Sequence, residues 1–215
     1  MKHAIGSGLP RLAIFVDGWN FKYATHDAFG VNIDFVKLLE YLSKDSFLIR
    51  AYYYTGEWTT DTIEQYIRIM APADPQAMRE ELEGQRRRSQ SFMRFLNRNG
   101  YMVVKKPLKV FAGGVTKADL DLELAIDMLS LADRCDRYVL ASGDGDFVPL
   151  VRAVAARGVR IQVLSTQHPE AYIRCNYKAA DELVDSADEF IELCDILPYI
   201  TRTPSVQTQR LREEE

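Results

Sequence analysis

The chain has few of the residues that staple small secreted folds or build metal knuckles: its 215 residues include three cysteines and three histidines. Cys135, Cys175 and Cys194 lie far apart and are odd in number, so they form neither a zinc knuckle nor a disulfide framework. The expectation is a protein of a reducing cytoplasm. Long hydrophobic runs are also missing. Ile14–Val16 and Tyr101–Val104 are far too short to span a bilayer, and Met1–Pro10 carries no apolar core of a secretory signal. No glycine-rich phosphate loop ending in Lys-Ser or Lys-Thr occurs, which argues against P-loop nucleotide hydrolysis. No segment repeats.

What is present is a globular composition, 47% hydrophobic and 27% charged, which excludes disordered and collagen-like chains. The length suits one domain of ordinary size. A net charge of -4 hides an uneven distribution. Between Gln85 and Ala118 there are nine basic residues and no acidic one: Arg86, Arg87, Arg88, Arg94, Arg98, Lys105, Lys106, Lys109 and Lys117. Acidic residues crowd into Asp119–Asp136 and Asp181–Asp195 instead. A basic segment on an acidic body is a candidate footprint for a phosphate backbone, and a solvated helix and hairpin surface accounts for it equally well.

Periodicity predicts strands at Arg11–Asp17, Ser46–Thr55, Tyr101–Lys105, Arg137–Ser142 and Val159–Leu164. Helices are expected over Ile33–Leu42, Thr60–Met70, Gln76–Asn99, Asp119–Asp133, Asp146–Arg157 and Pro169–Ala180. Lys106–Gly114 reads as a hairpin or loop, and Asp188–Leu193 packs last. Residues 1–10 are expected to be a flexible start, 11–197 the folded domain, and 198–215, with Pro198, Pro204 and a Glu-Glu-Glu end, a disordered tail. Alternating strands and helices define an α/β domain with a mainly parallel central sheet. In such sheets ligands bind beyond the carboxyl ends of the strands.

Two of those strand ends carry aspartates. The first runs into Asp17-Gly18-Trp19-Asn20, the later one into Ser142-Gly143-Asp144-Gly145-Asp146. Gly143 and Gly145 permit tight turns, so successive carboxylates can point into one crevice. Asp119-Leu120-Asp121 supplies a third acidic element where a loop enters a helix. At about 100° per residue, Asp121 shares the inward arc with Leu124, Ala125 and Met128, whereas Glu123 and Asp127 fall on the opposite, more polar arc. Asp121 is therefore the site candidate and Asp119 a cap or outer residue. Carboxylates crowded into one crevice raise each other's pKa unless a cation neutralises them, and carboxylate oxygens suit Mg²⁺ or Mn²⁺. Taken singly, each motif has a bland reading: Asp17 and Asp146 as helix caps, Asp144-Gly145 as turn chemistry.

At these residues the chain resembles the NYN domain family, in its LabA-like branch, within the wider PIN-like nuclease group. The segments that carry the resemblance are FVDGWNF (15–21), TKADLDLELAIDML (116–129), YVLASGDGDFVPLVRAVAARGVRIQVL (138–164) and ADELVDSADEFIEL (180–193). The resemblance implies a three-layer α/β/α sandwich of the PIN-like kind and a Mg²⁺- or Mn²⁺-dependent nuclease site acting chiefly on RNA. By position it marks Asp17, Asp121, Asp144 and Asp146 as the catalytic and metal-binding set, with Asn20 and Ser142 beside them.

The leading expectation is thus a metal-dependent ribonuclease. Asn20 and Ser142 would orient a phosphate or bound water. Lys117, with Arg86, Arg87, Arg88, Lys105, Lys106 and Lys109, would hold a single-stranded RNA backbone. Tyr52, Tyr53, Tyr54 and Trp58 would either stack on unpaired bases or pack in the core. The alternative is a non-catalytic RNA-binding or regulatory module on the same fold. A phosphatase of the haloacid-dehalogenase kind is disfavoured, since no second Asp follows Asp17 by two residues. Leu82, Phe92, Phe95 and Leu96 on the Gln76–Asn99 helix would cover either the body or a second chain, which leaves a homodimer open.

Overall fold

A computed structural model describes residues 8–114 and 116–202. Six strands form the central sheet: β1 (Arg11–Asp17), β2 (Phe47–Glu57), β3 (Tyr101–Pro107), β6 (Arg137–Ala141), β7 (Arg160–Ser165) and β8 (Glu189–Glu192). Their order is β3-β2-β1-β6-β7-β8, and every pairing is parallel. β4 (Lys109–Val110) and β5 (Thr116–Lys117) form a separate two-stranded antiparallel ribbon. The strand order reverses direction between β1 and β6. Their carboxyl ends therefore flank the crevice in which doubly wound sheets bind ligands.

The continuous apolar run of β1 is what a central parallel strand requires, because helices cover both faces. Leu12, Ile14 and Val16 face one layer, formed by α1 (Gly18–Lys22), α2 (Phe35–Ser43), the end of α4 (Pro75–Arg98) and α9 (Leu193–Ile200). Ala13 and Phe15 face the other, formed by α5 (Asp121–Leu131), α6 (Val148–Ala155) and α8 (Asp181–Ser186). The result is a three-layer α/β/α sandwich of the PIN-like kind. Each large aliphatic side chain buried in these layers is worth roughly 1.5–3 kcal/mol. A smaller cluster of Ile63, Ile67 and Leu82 joins α3 (Thr60–Met70) to the start of α4.

Helix starts follow local chemistry. Asp34 accepts the Val36 and Lys37 N–H groups to start α2, Thr59 and Thr62 cap α3 reciprocally, and Asp74 followed by Pro75 starts α4. Gly100, with φ of 92°, turns the chain from α4 into β3.

Several expectations need correction. The helix expected over Pro169–Ala180 is the short α7 (Pro169–Cys175), ended by Asn176 in the left-handed region. The expected domain edge at 197 falls inside α9, which runs to Ile200 despite Pro198, and Thr201 pairs with Ile33. An apolar face seated on α2 outweighs the single N–H that Pro198 lacks. The remainder of the expected tail, from residue 203, lies outside the described residues, as do residues 1–7 of the expected flexible start. Leu82 packs against α3, and Phe92, Phe95 and Leu96 pack on the body's own core, the first two only partly buried.

Candidate active site

Asp17 ends β1 and caps α1, its Oδ1 accepting the Asn20 N–H at 3.3 Å. β6 lies beside β1 with Ala141 opposite Val16, which brings Ser142 next to Asp17. The Ser142 hydroxyl donates to Asp17 Oδ2 at 3.2 Å, and its oxygen accepts the Asp144 N–H at 3.3 Å. Asp144 Oδ1 in turn accepts the Asp146 N–H at 3.0 Å. Asp17 is therefore a cap, as its bland reading has it; Asp144 caps the single turn Gly145–Phe147, consistent with its reading as turn chemistry, and Asp146 caps nothing, the α6 cap position being Phe147. Asp17 and Asp144 are also members of one cluster. The two roles coexist because each cap uses one carboxylate oxygen.

Asp121 reaches the same place from the other helical layer. α5 is pinned to the sheet by the Tyr138 hydroxyl donating to the Met128 carbonyl at 2.8 Å and the Tyr54 hydroxyl donating to Asp127 at 2.9 Å. Its first turn then sits over the end of β1. Asp17, Asn20, Lys117, Asp121 and Asp144 line a single pocket of about 240 Å³, with Trp19 and Tyr23 at its edge. Asp146 is exposed and does not line the pocket, although its charge acts on Asp121.

The electrostatics follow from this crowding. Burial pushes the Asp17 carboxyl up to about 6; the Asn20 and Ser142 hydrogen bonds oppose that, and the Asp121 and Asp144 charges add to it. Asp121 is also raised, first by burial, then by Asp119 and Asp144, with Lys117 opposing. Among the described residues, no three His, Cys, Asp or Glu side chains converge tightly enough to enclose an ion as they stand. The donor chemistry, hard carboxylate oxygens whose mutual repulsion needs a counter-charge, fits a hard divalent cation.

Close approach explains two of the motif glycines, Gly143 and Gly18. Neither Gly143 nor Gly145 has a positive φ, so the tight-turn argument does not hold for them. A Cβ on Gly143 would meet the Tyr177 hydroxyl, Ser165 Oγ at 2.7 Å and the Ala179 Cα at 2.9 Å. A Cβ on Gly18 would lie 2.6 Å from the Tyr54 carbonyl oxygen. These glycines let α1 and the Ser142–Asp144 loop settle onto neighbouring backbone.

The basic residues do not converge on one spot. Lys117 is on the pocket wall, and Lys109 pairs with it across the β4–β5 ribbon. Lys105 pairs with Glu57 at 2.7 Å, and Lys106 with Glu123 at 2.5 Å. Arg86 is held by Glu83 at 3.1 Å and by the Thr60 hydroxyl, whereas Arg87 and Arg88 are exposed on α4.

One reading is overturned here, and two pairs of alternatives are decided. Glu123 and Asp127 face Lys106 and Tyr54, and the outward face of α5 is apolar, with Leu122, Ile126 and Leu129 exposed. Of the two places open to Asp119 it takes the outer one: Leu120 occupies the α5 cap position, and Asp119 is exposed with its charge acting on Asp121. The tyrosines do not stack on bases: Tyr52, Tyr53 and Tyr54 are buried and Trp58 packs edge-on against Tyr66. The aromatics exposed at the pocket are Trp19 and Tyr23, which sit in and just after the first motif.

Sequence reasoning also missed Tyr177. Its hydroxyl donates to Asn20 Oδ1 at 2.6 Å and lies 2.8 Å from Ser165 Oγ, and the Gly143 N–H donates to the same Asn20 oxygen at 2.7 Å. With its oxygen doubly engaged, the Asn20 amide is fixed in one orientation. Tyr177 follows a helix end, where nothing in the local pattern signals a role.

A family model for the NYN domain matches residues 11–194. Low amplitude and bright protein LabA of Synechococcus elongatus is 31% identical over 201 residues, covering 90% of this chain and 89% of that protein. In fold alone, the crystal structure of a Vibrio parahaemolyticus protein of unknown function is similar, with a TM-score of 0.64 at 23% identity over 91% of this chain and 99% of the other. The chain belongs to the NYN domain family. That family, part of the PIN-like nuclease superfamily, implies ribonuclease activity in general, with RNA as substrate class and divalent metals as the usual cofactors. No helix among the described residues is long and apolar enough to cross a membrane.

Proposed function

We propose that this chain is a Mg²⁺- or Mn²⁺-dependent ribonuclease that hydrolyses single-stranded RNA. The observation that carries the reading is the meeting of Asp17, Asp121 and Asp144, from three separate elements, in one pocket at the β1–β6 switch point. Those three carboxylates would hold the metal, with Asp146 joining from the rim. A bound divalent ion supplies charge for the scissile phosphate and acidity to a coordinated water.

The chain's own groups do the positioning. Ser142 holds the Asp17 carboxylate in place. Asn20, its oxygen locked by Tyr177 and Gly143, turns its amide donors toward substrate. Lys117 faces the phosphate from the opposite wall, with Lys109 beside it on the ribbon. Lys105 and Lys106 carry the strand past the end of β3, and Arg86, Arg87 and Arg88 extend the track along α4. No His, Cys or Ser nucleophile is needed.

The test is cleavage of end-labelled RNA and DNA strands with Mg²⁺, Mn²⁺ or chelator, beside Asp17→Asn and Asp144→Asn. The expected result is metal-dependent RNA cleavage that falls at least a hundredfold in either variant while RNA binding survives. Cleavage that persists in chelator, or at equal rates in both variants, would falsify the reading. Tight RNA retention with no products under any metal would favour the non-catalytic RNA-binding module instead.

A further inference from the structure

A second cavity adjoins the acidic pocket across α1. It has a volume of about 370 Å³, within the span of small-ligand sites, and its walls are largely aromatic. Phe21, Phe35, Tyr53 and Phe92 supply the rings, and Val31 closes one side. Trp19 borders both this cavity and the acidic pocket, so one indole separates the two. They lie on opposite faces of the sheet's carboxyl edge. Tyr53 points into the α2–α9 layer, whereas Tyr54, its neighbour in β2, points toward α5 and the acidic pocket.

The rim is basic. Lys22 and His26 line the cavity and are both anchored by Asp27, at 2.8 Å from each. The Tyr53 ring lines the cavity, and its hydroxyl lies against Gly18 at the start of α1. An apolar aromatic slot with Lys22 and Arg202 at its mouth suits an unpaired nucleobase entering between two backbone phosphates.

We propose that this cavity is a base-binding subsite, which receives an unpaired nucleobase of the RNA strand whose neighbouring phosphate lies at the aspartates. The proposal rests on the ribonuclease reading for its substrate class. It assigns the cavity a task that the acidic cluster does not perform: gripping the strand by a base, so that single-stranded chains are taken and paired ones refused. Trp19 divides the two subsites and sets the distance between gripped base and reacting phosphate.

The experiment uses the full chain carrying Trp58→Phe, which leaves Trp19 as the sole tryptophan of the two present. Its fluorescence is followed in chelator, without turnover, as octauridylate or an abasic ribose-phosphate octamer of equal charge is added. Octauridylate is expected to bind at least about fivefold more tightly, since a stacked base contributes roughly 1–3 kcal/mol. Val31→Phe, which fills the cavity, should abolish that difference while leaving abasic binding unchanged. Equal affinity for the two octamers, or a difference that survives Val31→Phe, overturns the proposal. If Val31→Phe does not fold, Phe92→Ala, which removes one of the cavity's rings, is read instead: loss of the base-dependent difference upholds the subsite and its full persistence overturns it. The two readings separate cleanly. A chain that cleaves nothing but discriminates the octamers keeps the subsite and loses the nuclease. A chain that cleaves RNA but does not discriminate keeps the nuclease and loses the subsite.

Discussion

Asp17 places function and stability in opposition, and Asp17→Asn measures the conflict. The folded-state pKa of this carboxyl stands at about 6 against an ordinary 3.8. Between those values the folded protein holds a proton that the unfolded chain has released. This favours the folded state fully below pH 3.8, and the benefit is lost as pH rises through about 6. Above that, in the absence of metal, the ionised carboxylate costs the folded state about 3 kcal/mol, from two pKa units at about 1.4 kcal/mol each. The Asp17→Asn substitution removes the charge. The new amide's oxygen would keep the Asn20 N–H bond, but its NH₂ would face a Ser142 oxygen that already accepts from Asp144, at a cost of about 1 kcal/mol. The net gain of about 2 kcal/mol corresponds to roughly 4–8 °C for a chain of this size. Thermal unfolding in chelator, followed by circular dichroism from pH 4.5 to 8, should show Asp17→Asn melting above the native protein at pH 8 and the gap closing toward pH 4.5. Using the difference between the two proteins cancels the titration of all other groups. With Mg²⁺ added, the native protein should gain stability and the variant should not. A variant that melts at or below the native protein at pH 8, or a gap indifferent to pH, would show that repulsion and burial at Asp17 do not strain the fold.

Tyr177→Phe should lower the cleavage rate about tenfold with little change in KM, because the Asn20 amide loses its lock and the fold loses only about 1 kcal/mol. An unaltered rate constant would show that Asn20 needs no such support. Gly143→Ala is expected to destabilise the protein by roughly 1–3 kcal/mol, since the new methyl meets the Ala179 backbone as well as two side chains; denaturant unfolding measures it. Replacing both Arg87 and Arg88 by Gln should flatten the salt dependence of RNA binding by between one and two units of slope, without altering metal dependence; an unchanged slope removes α4 from the RNA track.

Much of this protein is written in local pattern. The unbroken apolar runs of β1 and β6 predict strands buried on both faces, and Asp17 and Asp144 at their carboxyl ends predict where ligands gather. The inward position of Asp121 follows from helical periodicity, because Leu124 and Met128 on the same arc must meet the sheet. What failed were features in which local chemistry is overruled by packing: Pro198 inside α9, and Glu123 and Asp127 drawn to Lys106 and Tyr54. Rotation of α5 about its axis is set by two tyrosine hydroxyls reaching up from the sheet, and no pattern within the helix encodes them.

Residue order alone is enough to say which side chains could serve an acidic site and on which kind of element each would stand. It took the folded chain to establish that β6 lies against β1, which turns aspartates far apart in the chain into neighbours, and that Tyr177 reaches Asn20 across 157 positions. The same packing sends consecutive tyrosines of β2 to two different cavities. Strand order and side-chain partnership are chosen by how both faces of a sheet bury their apolar surface at once. That is a property of the whole packed chain, whereas periodicity and capping belong to a few adjacent residues.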